Sequence, residues 1–140
     1  MQRNFTVDDL LEMKDAGLVA SSAAAQVDGE DHIEDLVGGF VQGHLVIDIT
    51  AIETASNDER YDILLQGSNS ATFASGVVDL AAVALGAAEA INADADTGTG
   101  RIVLPFDTEF METVYRYLRV YTVVSGAVAT GINYTARLAA

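Results

Sequence analysis

Asp48 and Asp62 each lie in a stretch that alternates apolar and polar residues, where a sheet could set one opposite the other. Two carboxylates about 5–10 Å apart in a cleft can divide acid and base roles in glycoside hydrolysis. That chemistry needs a cleft, and a sandwich of 140 residues leaves little room for one. The loop Asn92-Ala-Asp94-Ala-Asp96-Thr-Gly98 places oxygen-bearing side chains at alternate positions, as calcium loops do. Thr97 stands where such a loop needs glycine, and Val103 where it needs a bidentate glutamate, so a solvated turn fits better. Thr97-Gly-Thr-Gly100 leads into Arg101 and a strand pattern, whereas a phosphate-cradling loop leads into Lys, Ser or Thr and a helix. His32 sits in an acidic loop that stabilises its charge, and His44 falls on the polar side of a strand. Nothing in the pattern brings the two histidines together for zinc binding or proton transfer. No catalytic, cofactor-binding or metal-ligating residue is assigned, and the chain is read as a non-enzyme that uses no cofactor.

The strongest candidates for function are side chains that dock. In Tyr115-Arg-Tyr-Leu-Arg-Val-Tyr121, a regular strand puts Tyr115, Tyr117, Arg119 and Tyr121 on one face and Arg116, Leu118, Val120 and Thr122 on the other. Tyrosine and arginine combine large contact area with hydrogen bonding and are enriched at interface hot spots. From Thr113 to Ala140 there is no acidic residue but there are three arginines, Arg116, Arg119 and Arg137. All 21 acidic residues precede that segment. Some of these arginines must therefore pair with acids of the same chain, and the rest can serve a partner.

The elements that must position these residues are mostly strands. Residues 4–16 are read as a short helix, with Thr6 as N-cap, Asp9 completing a capping box and Phe5 stapled to Leu10. Gly17 is its stop. A helix this short is marginal alone, so Phe5, Leu10 and Leu11 are candidate interface residues that lean on the body or on another subunit. Residues 18–26 are a small-residue run read as an extended arm or edge strand, and 28–35 as an acidic loop. From Phe40 the period becomes two, with Leu45, Ile47 and Ile49 on one side, and Tyr61, Ile63 and Leu65 repeat the pattern. Val77 to Leu85 is ambiguous between strand and helix. Residues 101–106 form a strand ending at Pro105-Phe106, and two strands joined at Ser125-Gly126-Ala127 close the chain. The fold class is all-β, an antiparallel β-sandwich or jelly roll with a short N-terminal helix and an extended arm. It is one domain overall, with the helix and arm over 1–30 and the body over 31–140. The arm is expected to serve attachment more than folding.

With no cysteine, neither disulfides nor thiolate chemistry enter. The formal charge of −14 repels nucleic acid and anionic membranes, keeps the chain soluble at high concentration and favours partners that present positive charge. Lys14 is the only lysine. No run reaches the ~20 apolar residues that span a bilayer, and no secretory leader is read at the start.

Residues 61–73 (Tyr-Asp-Ile-Leu-Leu-Gln-Gly-Ser-Asn-Ser-Ala-Thr-Phe), Leu85-Gly86, Gly100-Arg-Ile-Val-Leu-Pro-Phe-Asp107, Tyr115–Thr122 and Ala129–Ala136 form a pattern of strand and turn residues. That pattern resembles the capsid cement, or decoration, proteins of short-tailed bacteriophages, of the jelly-roll type. The resemblance covers about 80 residues, and the N-terminal helix departs from it. It implies a non-enzymatic virion protein, often a homodimer, on the outer capsid surface where major capsid subunits meet. Its partners would be the major capsid protein and a second copy of itself, and it would be made in the host cytoplasm. The alternatives are a tail or head–tail connector subunit, or a small receptor- or carbohydrate-binding sandwich. The lack of tryptophan weighs against a sugar platform.

Overall fold

The computed structural model describes residues 7–93 and 95–139, with side chains from residue 11 onward. Its strands are β1 (Val7–Lys14), β2 (Leu18–Val19), β3 (Ala23–Ala24), β4 (Gln26–Val27), β5 (Glu30–Asp31), β6 (Glu34–Asp35) and β7 (Gln42–Ile52). They continue with β8 (Arg60–Ser68), β9 (Val78–Gly86), β10 (Gly100–Asp107), β11 (Glu109–Phe110), β12 (Thr113–Val114), β13 (Tyr117–Ser125) and β14 (Ile132–Ala139). No helix occurs among the described residues.

Two antiparallel sheets face each other. One runs β1-β14-β7-β10, with β2 also on β14; the other runs β3-β13-β8-β9, with β6 also on β13. From β7 onward, only the β8–β9 connection between long strands stays within a sheet; the chain crosses from β7 to β8, β9 to β10, β10 to β13 and β13 to β14. The period-two alternation explains why these segments pair: each sheet turns one row of apolar side chains inward. Leu45, Ile47 and Ile49 of β7 and Ile132, Tyr134, Ala136 and Leu138 of β14 meet Tyr61, Ile63 and Leu65 of β8 and Leu118 and Val120 of β13 in one core. Tyr134 and Thr122, both buried, join hydroxyls across it and so link the two sheets.

The N-terminal helix is not there. Val7–Lys14 is a strand on the free edge of β14, with register Glu12↔Arg137 and Lys14↔Ala136. Its helix signals are local and weak, whereas the edge of β14 presents backbone groups that need partners. Pairing there also seats Met13, fully buried, in the core and packs Leu11 against it, while Glu12 meets Arg137 on the outside. Phe5 and the capping residue Thr6 lie outside the described residues. The described part of the expected arm is woven into both sheets through β1, β2 and β3, and Ala25 joins Met13 in the core.

Two other boundaries move. Val78–Gly86 is a strand, β9, paired along β8. The strand over Pro105 does not end there: β10 continues to Asp107, with Pro105 opposite His44. Because β10 is the sheet's last strand, the missing proline N–H can face away from the ladder at no cost.

Candidate functional site

β13 turns Leu118, Val120 and Thr122 into the core and leaves Tyr117, Arg119 and Tyr121 half-buried on the outer face of its sheet. Arg119 is the organising residue of that face. Its guanidinium lies 4.5 Å from the ring centroid of Phe73 and 5.1 Å from that of Tyr121. Nε donates to Gln66 Oε1 at 2.9 Å on β8, and Gln66 Nε2 donates to Asp79 Oδ1 at 3.1 Å on β9, so one polar chain runs across three strands. Cation–π contact of this kind contributes about 0.5–1 kcal/mol at exposed sites and fixes the orientation of the charge.

The other described arginines are committed to carboxylates of this chain. Arg116 grips Asp35 through Nε at 2.8 Å and Nη2 at 3.0 Å, and it holds the Asp35 carboxyl below the usual carboxylate range. Arg101 binds Asp48 in the same two-pronged way, at 2.7 and 3.0 Å, and depresses its pKa. Arg60 pairs with Asp62 at 3.0 Å and Arg137 with Glu12 at 3.9 Å. Arg119 is the only described arginine with no carboxylate within ion-pair reach.

Of the expected docking residues, Tyr117, Arg119 and Tyr121 share a face. Arg116 does not lie on the opposite face beside Leu118; it precedes β13, at the end of the sandwich, with its guanidinium carbon 5.2 Å from the Tyr117 ring centroid. Arg137 stands on the other sheet, Leu11 packs toward the core, and for Leu10 only the backbone in β1 is described.

The carboxylate pair does not form. Asp48 lies on β7 and Asp62 on β8, and each points away from the buried row of its own strand, so the whole core separates them. In the 92–98 loop, Asp96 Oδ1 accepts from Ala88 N at 2.7 Å and Thr97 Oγ1 from Gly86 N at 3.1 Å, so these oxygens serve the backbone. Asp94 lies outside the described residues. His32 Nε2 contacts Glu34 at 3.0 Å, and His44 lines an opening of about 590 Å³ with Leu80, Pro105, Phe106 and Phe110. The described residues contain no group of three or more metal-ligating side chains.

Phe73 and Gln66 are the site residues that sequence reasoning missed. Phe73 is buried with φ +56° in the β8–β9 loop, and only its long-range placement brings it over Arg119. The fold and this face define an all-β, two-sheet protein with an arginine–aromatic surface. The chain matches no protein-family model, and no curated protein sequence matches it.

Proposed function

We propose that this chain is a jelly-roll capsid cement protein, a non-enzymatic virion component that binds the outer surface of a tailed-phage shell and bridges adjacent major capsid subunits. The observation that carries the reading is Arg119, held between Phe73 and Tyr121 on an outer sheet face, with its charge left over for a partner. The strand order supports it: β1-β14-β7-β10 facing β3-β13-β8-β9, with crossings between sheets, is the arrangement two Greek keys produce in an eight-stranded jelly roll. The segments between residues 61 and 136 that resemble the cement family fall on β8, the end of β9, β10, β13 and β14, strands drawn from both sheets. A body of charge −14 stays dispersed and avoids packaged nucleic acid. A protein that binds only the assembled lattice then shifts assembly toward the mature shell.

Shells stripped of this protein test the proposal. Arg119→Ala and Tyr117→Ala are expected to weaken shell binding by about 30-fold each, the cost of a hot-spot truncation. The melting temperature of the free protein should fall by no more than a few degrees, the share of the Arg119 stacking and its bond to Gln66. Full occupancy with lowered stability would return the face to a purely structural role, and absence of the protein from purified virions would end the cement reading.

A further inference from the structure

Three connections meet at one end of the sandwich: residues 36–41 before β7, the β8–β9 loop, and the β11–β12 hairpin before β13. Hydrogen bonds tie them together. Val41 N donates to Thr108 Oγ1 at 3.0 Å, Leu36 N to Arg116 O at 3.0 Å, and Asn69 Oδ1 accepts from Arg116 N at 3.0 Å. Six of the eight exposed large apolar side chains of the described residues are on these connections: Val37, Phe40, Val77, Phe110, Met111 and Val114.

Two of them are held out on costly backbone. Val37 is 79% exposed at φ +62°, a region a β-branched residue rarely enters. Met111 is 83% exposed at φ +48°, and with Glu112 at φ +69° it forms the two-residue turn of the β11–β12 hairpin, where Asn-Gly is the favoured pair. The strain at Val37 is fixed by Asp35, whose Oδ1 accepts Val37 N at 2.7 Å while Arg116 grips the same carboxylate. Free-standing apolar side chains on strained backbone mark a surface kept for contact.

The rim supplies the partner's chemistry. Asp107, Glu109 and Glu112 flank these side chains and form no ion pair among the described residues, and Arg116, the nearby cation, is spent on Asp35. Two copies meeting end to end would bring like charges together, which disfavours a second copy as occupant.

We propose that this end docks into an apolar depression edged by arginine or lysine on the shell protein, with Phe40 and Met111 as anchors and Glu109 and Glu112 as the charged rim. This deepens the cement reading and rests on it. The end is continuous with the Arg119 face through Tyr117, so both can engage one composite site.

Stripped shells are the probe, titrated with wild type, with Phe40→Ser/Met111→Ser, and with Glu109→Lys/Glu112→Lys. All four positions are exposed, so the free proteins should melt like wild type. The serine pair is expected to bind about 30-fold or more weakly. The lysine pair is expected to bind about 10-fold more weakly at low salt, with the gap closing as salt rises. Normal decoration by both variants while Arg119→Ala decorates poorly overturns this proposal and leaves the cement reading standing. Loss of a solution dimer in the serine pair, with shell binding unchanged, makes a second copy the occupant and also overturns it. Wild type that leaves stripped shells bare removes the cement reading and this proposal with it.

Discussion

Lys14, the only lysine, is 4% exposed and gives its ammonium to three backbone carbonyls, Asp15 O at 2.9 Å, Gly17 O at 3.1 Å and Tyr134 O at 2.8 Å. It also sits 4.4 Å from the Tyr134 ring centroid. Burial lowers its pKa to about 8, with the Asp15 carboxylate opposing that shift. An unfolded lysine keeps its proton to about pH 10.4, so above pH ~8 the unfolded chain binds more protons and stability rises with pH. From about pH 10 the trend reverses, because burial pushes Tyr61 up to about 12 and the unfolded tyrosine ionises first. Urea unfolding at pH 7.5 and 9.5 should show a gain of about 1 kcal/mol in wild type, trimmed by water reaching the opening that Lys14 lines. Lys14→Met should lack that gain. Parallel pH profiles for the two proteins would refute the assignment.

At the scale of an element, the β13–β14 connection is held by one carboxylate. Glu53 Oε2 accepts from Ala129 N at 2.9 Å and from Thr130 N and Gly131 N at 3.0 Å each. These donors, Gly131 first, hold its carboxyl below the ordinary range. The turn is also closed sterically: Gly131 has φ +88°, and a Cβ there would lie 1.9 Å from Val19 O. Because the folded pKa is depressed, the stabilisation is complete above the unfolded value of ~4.3 and is lost as pH falls through the folded one. Glu53→Gln is expected to melt a few degrees lower at pH 7, with the difference from wild type shrinking toward pH 3. A gap that stays constant with pH would show that the charge contributes nothing to the turn.

For the whole molecule, the first strand belongs to the core. A chain beginning at Leu18 loses fully buried Met13, the packing of Leu11 and the Lys14 clamp, and it bares the edge of β14. Truncating one buried methionine costs about 2–5 kcal/mol, against a total stability of about 5–15 kcal/mol for a domain. The shortened chain is expected to be unfolded or aggregated by circular dichroism and sedimentation, the opposite of what a separable attachment arm would give. A folded, monomeric product would show that β1 only decorates the sandwich.

The all-β class is legible in local pattern, because an inward row such as Leu45, Ile47, Ile49 or Tyr61, Ile63, Leu65 has the period of two that a half-buried strand satisfies. The same alternation placed Tyr117, Arg119 and Tyr121 on a common face. Whatever depends on distant strands came from packing. Val7–Lys14 carries capping signals but became a strand, since the edge of β14, more than 100 residues away in the chain, had backbone groups to satisfy. The basic character of the last quarter had two origins that composition alone could not separate. Arg116 and Arg137 lie beside Asp35 and Glu12 because β6 borders β13 and β1 borders β14. Arg119 lies instead beside Gln66 and Phe73, so its charge stays available. Which arginine is spent and which is free depends on strand neighbours, and strand order is fixed by how two sheets share one core.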